Sequence, residues 1–143
     1  MRIQDVMRSK GGSVVTAPPN TTVRELVALL AEHNIGAVVV MGEESQIAGI
    51  VSERDVVRRL AADVDILDSD ISEIMTSEVR SVAPDESVHD LMRLMTEHRI
   101  RHVPVVLDGS LQGIISIGDV VKSRIGELEF ERDQLSSYVS NTQ

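Results

Sequence analysis

Two serine-aspartate pairs are the residues in this chain whose type and spacing could support binding chemistry. Ser52 and Asp55 lie in GIVSERD, and Ser116 and Asp119 lie in GIISIGD. Each pair follows an apolar run and precedes helical periodicity, so one interpretation is a helix cap and nothing more. A helix N-terminus also offers free N–H groups to phosphate, and a carboxylate one turn into the helix can accept hydrogen bonds from a ribose diol. Capping alone and a ribose phosphate site are therefore both open.

The pairs belong to an internal repeat. EHNIGAVVV, which begins at Glu32, returns 65 positions later as EHRIRHVPVV, which begins at Glu97. GIVSERDVV at Gly49 returns as GIISIGDVV at Gly113. Because a duplicated unit usually buries its apolar face against its own copy, we expect any functional site to lie where the two copies meet.

Each copy predicts the element order β-α-β-β-α, which gives an α/β fold with pseudo-twofold symmetry. Capping patterns at Thr22 and Ser87 start the first helix of each copy. The expected strands are 13–16, 37–41 and 47–51 in the first copy and 79–82, 102–107 and 111–115 in the second. The final helices begin at Ser52 and Ser116. We assign residues 1–62 to the first repeat, 63–70 to a linker, 71–125 to the second repeat and 126–143 to a helical extension.

Composition restricts the classes of function. The 143 residues contain no cysteine, which removes disulfides, thiolate nucleophiles and cysteine-bound zinc, and favours a reducing compartment such as the cytoplasm. A net charge of −9 disfavours nucleic acid as a partner. No apolar stretch approaches the roughly 20 residues that span a bilayer, and the first residues lack the apolar run of a signal peptide. No catalytic or metal-binding motif is present, so we expect neither an enzyme nor a metal site.

The repeated G-h-h-S-x-x-D motif (h, apolar) and the IGAVVV and IRHVPVV strands together resemble the CBS-domain family, whose tandem pair is called a Bateman module. The resemblance covers both repeats, roughly residues 3–124. It implies regulatory binding of an adenine nucleotide in two clefts between the repeats. AMP is the favoured ligand, and ATP, ADP and NAD are the alternatives.

The resemblance also implies roles for particular residues. Asp55 and Asp119 would bind ribose, with Ser52 and Ser116 near phosphate or ribose. The cleft of each aspartate would draw its other wall from the opposite repeat. These walls are Ile35, Gly36 and Ala37 beside Asp119, and Ile100, Arg101 and His102 beside Asp55, while backbone near Thr16, Val79 and Arg80 would contact the adenine edge.

The two expected sites differ in charge. Arg101 and His102 replace Gly36 and Ala37, so we expect unequal occupancy of the two clefts. Arg54 is a further phosphate candidate, and Gly118 stands at its position in the second copy. Arg101 as a plain surface charge and His102 as a half-buried histidine without a ligand remain open alternatives. The turn at residues 10–13, KGGS, is a secondary phosphate candidate, although an ordinary loop is the better interpretation.

Apolar faces predict protein partners. The helix stripes Val23, Leu26, Val27, Leu30 and Leu91, Met92, Met95 exceed what a thin sandwich buries, so we expect a homodimer that packs through its helices. A heptad seam also follows the second repeat, at Val121, Ile125, Leu128, Leu135 and Val139. We expect this seam to pack on the chain's own body or on a sister subunit, and we keep docking of an unknown effector protein as the alternative. Residues 140–143 should fray.

Overall fold

A computed structural model describes residues 1–11 and 14–141. Its helices are α1 (Ile3–Lys10), α2 (Val23–His33), α3 (Glu53–Ala62), α4 (Val88–His98) and α5 (Ile117–Asn141). Its strands are β1 (Thr16–Ala17), β2 (Ala37–Met41), β3 (Ile47–Ser52), β4 (His102–Leu107) and β5 (Ser110–Ser116). The mixed α/β architecture of two repeated units agrees with the sequence prediction. None of the helices in these residues is both long and apolar enough to cross a membrane.

The central helix of each repeat begins and ends in the same way. Thr22 Oγ1 accepts a hydrogen bond from the Glu25 amide at 3.1 Å, and Ser87 Oγ accepts one from the Asp90 amide at 3.0 Å. These caps confirm the helix starts that the sequence predicted. Both helices then end at a residue in the left-handed conformation, Asn34 in α2 and Arg99 in α4 (φ 52° and 53°).

The sheets are smaller than predicted at their first strands. In the first repeat, β1 pairs in parallel with β2, which pairs antiparallel with β3. The expected strand at 13–16 is represented by Thr16 and Ala17, and Ser13 lies outside the described residues. In the second repeat β4 pairs antiparallel with β5, and the expected strand at 79–82 leaves one isolated bridge between Val82 and Val105.

A proline explains why the strand at 79–82 does not form. Val82 donates to the Pro104 carbonyl at 3.0 Å and accepts from the Val106 amide at 2.8 Å, which is one step of a parallel ladder. The next step would need an amide hydrogen at residue 104 to bond the carbonyl of residue 80. Proline has none, so the ladder stops after this bridge. The prediction of a strand there was wrong because it considered the segment without its partner.

The hydrophobic core of each repeat contains the opening segment of the other. Ile3 and Val6 of α1 are buried in the second repeat's core, beside Leu91, Val103 and Ile115. A 3₁₀ turn at Ile71–Glu73 opens the second repeat. Its Ile71, together with Ile74, is buried in the first repeat's core with Val23, Leu26, Val38 and Val51. Hydrogen bonds fix both exchanges, because the Ile3 amide donates to the Glu86 carbonyl at 2.9 Å and the Ile71 amide to the Thr21 carbonyl at 2.8 Å.

The segment between the repeats also contributes to a core. Residues Val64–Asp68, which the sequence assigned to a linker, form a 3₁₀ turn capped by Asp63, whose carboxylate accepts from the Asp65 amide at 3.0 Å. Ile66 in this turn is buried in the first repeat's core. The segment is therefore packed structure.

The helix stripes are more internal than the sequence suggested. Val23, Leu26 and Leu30 of α2 and Leu91 and Met95 of α4 are buried in the two cores. Val27 and Met92 are 42% and 36% exposed. The dimer was predicted from the whole of both stripes, but only Val27 and Met92 of these residues remain exposed on the two helices.

The C-terminal helix is continuous and projects its apolar seam into solvent. α5 runs through the expected boundary near residue 125 without a break and includes Asn141, while residues 142 and 143 lie outside the described part. The seam residues are 47% to 65% exposed, namely Val121, Ile125, Leu128, Leu135 and Val139. The structure therefore does not show the seam packed on the chain's own body. Contact with a sister subunit and docking of an effector protein both stay predictions.

A methionine from each opening segment packs against a glycine of the opposite repeat. Met75 lies over Gly49 in β3, and Met7 lies over Gly113 in β5. In both places the absent side chain makes room for the methionine, so the two glycines permit the exchange of segments.

We expect Gly49→Ala to destabilise the protein more than Gly113→Ala. A Cβ at Gly49 would lie 2.7 Å from both the Met75 sulfur and the Thr76 carbonyl oxygen, and that carbonyl belongs to the backbone. A Cβ at Gly113 would meet chiefly the terminal methyl group of Met7, which can rotate away. Urea denaturation should show a loss of about 1–3 kcal/mol for Gly49→Ala, in the range of overpacked cores, and a smaller loss for Gly113→Ala. Equal losses would contradict this assignment.

Candidate functional site

Two clefts lie between the repeats, each beside one serine-aspartate pair. The Asp119 cleft has a volume of about 320 Å³ and is lined by Ser116 and Asp119 of the second repeat together with 35–37 of the first. The Asp55 cleft has a volume of about 200 Å³ and is lined by Ser52, Arg54 and Asp55 of the first repeat together with 100–102 of the second. The structure thus brings eleven of the fourteen predicted site residues to these two clefts.

Both serine-aspartate pairs form the predicted helix caps. The Ser52 amide donates to Asp55 Oδ2 at 2.9 Å, and the Asp55 amide donates to Ser52 Oγ at 3.3 Å. The Ser116 amide donates to Asp119 Oδ2 at 2.9 Å, and the Asp119 amide donates to Ser116 Oγ at 3.1 Å. In each carboxylate only Oδ2 takes part, and Oδ1 has no hydrogen-bond donor within residues 1–11 and 14–141. Capping therefore leaves one oxygen of each aspartate able to accept a bond from a ligand.

Lys10 reaches across the repeats to Asp119. Its Nζ donates to Asp119 Oδ2 at 2.8 Å and to the Ile114 carbonyl at 2.6 Å. Burial alone would raise the pKa of the Asp119 carboxyl, but the hydrogen bonds from Lys10 and Ser116 together outweigh it and hold that pKa below the ordinary aspartate value. Lys10 is the last residue of α1, so the exchanged opening segment delivers a cation to the opposite repeat's acid. Gly12 and Ser13 of the predicted KGGS turn lie outside the described residues.

His102 forms part of both clefts. It is half-buried, and its Nε2 lies 3.1 Å from where a Cβ at residue 36 would stand, so Gly36 makes space for the ring. Burial lowers the pKa of His102 below the ordinary histidine value, and this effect exceeds the opposing attraction of Glu53. Burial therefore favours the neutral imidazole, which can donate one hydrogen bond and accept another.

Three predicted residues lie away from the two clefts. Thr16 lines a separate surface cavity between the hairpin turns of the repeats. Val79 is half-buried and Arg80 is exposed, and neither lines a cleft in the part of the chain that the structure describes. The missing strand at 79–82 accounts for the last two. Val14 and Val15 line the Asp119 cleft, and Thr76 lines the Asp55 cleft.

Several residues at the clefts were missed from the sequence. Arg58 and Arg99 line the Asp55 cleft, and Met7 and Gln112 line the Asp119 cleft. Helical periodicity could have found Arg58, because it lies one turn after Arg54 on the same face of α3. Nothing in the local sequence pointed to Met7, since it reaches the cleft only through the exchange of segments.

Within residues 1–11 and 14–141, no group of three or more histidine, aspartate or glutamate side chains converges as metal ligands would. The repeated Glu-His pairs at 32–33 and 97–98 are exposed at helix ends, where a histidine is favourable without any ion.

We expect Lys10→Met to raise the pKa of Asp119. The depressed pKa means that the ionised carboxylate stabilises the fold above the ordinary aspartate pKa, and that this contribution is lost as pH falls through the folded-state value. Removal of the Lys10 ammonium should raise the folded-state pKa of Asp119, so the stabilising contribution should be lost at a higher pH than in the unmodified protein. An NMR titration of the Asp119 carboxyl measures the shift, and Lys122→Met is the matched control because Lys122 makes no ion pair with Asp119. An unchanged Asp119 pKa in Lys10→Met would show that Lys10 does not lower it.

Comparison with known proteins supports both the fold and the repeat. The family model described as CBS domain matches residues 3–62 and 71–126. The crystal structure of the CBS-domain containing protein ATU1752 from Agrobacterium tumefaciens is similar, with a TM-score of 0.83 and 41% sequence identity over 86% of this chain and 92% of that chain.

Two similar structures contain adenosine compounds. CBS domain protein PAE2072 from Pyrobaculum aerophilum, complexed with AMP, has a TM-score of 0.75 and 32% identity over 83% of this chain and 89% of that one. The CBS domain pair of protein MJ0100, in complex with 5′-methylthioadenosine and S-adenosyl-L-methionine, has a TM-score of 0.79 and 26% identity over 89% and 98%. With the match to both repeats, the chain belongs to the CBS-domain family and carries a pair of CBS motifs.

Proposed function

We propose that this chain is a regulatory module that binds adenosine-containing ligands in the Asp55 and Asp119 clefts. Ligand binding changes the conformation of the module, and a partner protein responds to that conformational change. CBS-domain proteins are generally regulatory, and AMP and S-adenosylmethionine occupy related proteins. Among such ligands we favour AMP and keep ATP, ADP and NAD as alternatives. The absence of cysteine favours the cytoplasm as the place of action.

One observation carries the proposal. In each cleft a capped helix N-terminus of one repeat faces the start of a strand of the other, and the capping aspartate keeps Oδ1 unbonded within the described residues. Oδ1 can accept from a ribose hydroxyl, while the helix N-terminus favours the negative phosphate. The same arrangement occurs twice, as the internal repeat requires.

The clefts are suited to regulation because their walls belong to different repeats. A ligand that contacts both walls has an affinity that depends on how the repeats are arranged, and it therefore shifts the protein toward the arrangement it prefers. His102 lies in both clefts, and its pKa responds to Glu53 and Arg101 as well as to Lys10 and Asp119. A charged ligand in one cleft would therefore change the electrostatics of the other.

A second candidate function is an interaction module whose clefts stay empty. The exposed apolar seam of α5 favours this candidate, because scattered apolar residues are ordinary on a surface but a heptad pattern is not, even one interrupted at Arg132. Ligand-dependent melting separates the candidates, since a ligand present at 100 times its dissociation constant adds about 2.7 kcal/mol of stability.

We expect Asp55→Ala and Asp119→Ala each to remove one ligand site and leave the fold intact. Each change deletes the ribose acceptor, and the lost cap should cost about 0.5–2 kcal/mol. Calorimetric titration with AMP counts the sites that remain. Asp90→Ala is the control, because Asp90 holds the same third helical position in α4 and lines neither cleft. Unchanged stoichiometry in both cleft variants would rule out the proposed sites.

We propose a homodimer in which the seam of α5 contacts a second copy. Deletion of residues 127–143 should then weaken the dimer, while the melting temperature of the isolated module and its affinity for AMP stay nearly the same. The physical reason is that the seam is exposed in the single chain and both clefts lie before it. Sedimentation and thermal melting at several protein concentrations measure these effects. A truncated protein that dimerises as tightly as the full chain would contradict the proposal.

A further inference from the structure

Four arginines line the Asp55 cleft and have no partner in the described part of the chain. Arg54 and Arg58 come from α3 of the first repeat, and Arg99 and Arg101 come from the second repeat. Within residues 1–11 and 14–141, none of these four guanidinium groups forms an ion pair or a hydrogen bond. The chain has a net charge of −9, so acidic groups outnumber basic ones.

Several other arginines do have partners, although Arg80, which lies outside the cleft, has none within residues 1–11 and 14–141. Salt bridges join Arg24 to Asp68 and Arg93 to Glu97, and Arg59 donates to the Glu73 carbonyl at 3.0 Å. The unpaired arginines of the Asp55 cleft therefore do not reflect a shortage of acceptors. Like charges from two repeats line one cleft, an arrangement that a bound anion would stabilise.

The Asp119 cleft lacks this cluster. At the four corresponding positions the other repeat carries Gly118, Lys122, Asn34 and Gly36. Lys122 does not line the Asp119 cleft, whose one lysine or arginine among the described residues is Lys10. The Asp119 cleft therefore has no net formal charge from its lysine and aspartate, whereas the four arginines of the Asp55 cleft outweigh Glu53 and Asp55.

The backbone at Arg99 adds an independent observation. Arg99 ends α4 in the left-handed conformation, at φ 53° and ψ 44°, and Asn34 holds the same place in α2. Asparagine and glycine adopt this conformation readily, but arginine does not. Arg99 therefore keeps an unfavourable backbone conformation at a position that lines the Asp55 cleft, although Glu44, Ser45 and Asp108 also have a positive φ in turns away from both clefts.

We propose that the two clefts differ in how many phosphates they accept. The Asp55 cleft takes a nucleoside di- or triphosphate, and the Asp119 cleft takes a nucleoside with one phosphate or none. This inference rests on the proposed function, because it assumes that the nucleoside binds beside each aspartate. Guanidinium groups bind phosphate oxygens in bidentate geometry, and each added phosphate supplies new oxygens to the cluster.

The shape of the Asp55 cleft agrees with this assignment. All four arginines are exposed, which places the charged groups at the open side of the cleft. A phosphate chain would therefore extend toward solvent along the arginines, with the nucleoside beside Asp55.

Affinities of ATP, ADP, AMP and adenosine test the inference at a single site. Asp119→Ala confines binding to the Asp55 cleft, and calorimetry then gives each dissociation constant. We expect affinity to fall from ATP to ADP to AMP to adenosine. In the same background, Arg58→Ala with Arg99→Asn should weaken ATP about tenfold or more and adenosine hardly at all, since charge-assisted bonds are lost only to phosphate.

Matched variants exclude trivial causes. Arg99→Asn introduces the residue that Asn34 provides in α2, and asparagine suits the left-handed backbone, so this single variant should fold even if the double variant does not. On its own it should lower the affinity for ATP more than the affinity for AMP. Arg93→Ala removes an arginine from α4 outside the cleft and should leave every affinity unchanged. Equal weakening of ATP and adenosine, or AMP bound as tightly as ATP before mutation, overturns the inference.

Inorganic triphosphate separates this inference from the proposed function. If no adenosine compound binds but triphosphate binds and loses affinity in Arg58→Ala, the nucleotide function fails and the polyphosphate preference of the cleft stands. If adenosine compounds bind without regard to phosphate number, the function stands and the inference is wrong. If neither adenosine compounds nor triphosphate bind, both are wrong.

Discussion

Each repeat completes the hydrophobic core of the other, and the remaining features of the molecule depend on this exchange. Ile3 and Val6 fill the second core, while Ile71 and Ile74 fill the first. The segment that each repeat supplies packs in the same core as the buried side of the other repeat's central helix. The exchange therefore joins the repeats into one folded unit and gives the clefts between them walls from both. It also brings Lys10 to Asp119, since α1 ends at the opposite repeat's cleft.

The helix cap at each cleft uses only one oxygen of its aspartate. One oxygen of Asp55 and of Asp119 accepts the backbone amide of its serine, which satisfies an orphan donor at the helix start. The other oxygen remains available to a ligand. Because the cap uses only Oδ2, the proposed contact of ribose with Oδ1 would leave the cap intact. The capping and binding interpretations of the motif are thus compatible.

The backbone symmetry of the repeats is not matched by their charges. Both serine-aspartate pairs have the same geometry, yet Lys10 already binds Asp119 while Asp55 has no such partner in the described residues. His102 stands between the clefts with a lowered pKa, because burial disfavours its charged form. Duplication therefore provided two similar backbones, and side-chain differences at a few positions made two unlike sites.

The sequence by itself determined the repeat, the α/β element order and the two capped helices at Ser52 and Ser116, because these depend on local periodicity and capping chemistry. A match to the repeated motif also located eleven of the cleft residues. Only the tertiary structure decided the remainder. The strand at 79–82 does not form because its partner Pro104, which is distant in sequence, has no amide hydrogen to donate. Lys10 and Arg99 reach the clefts through contacts between repeats, and local sequence patterns do not record such contacts.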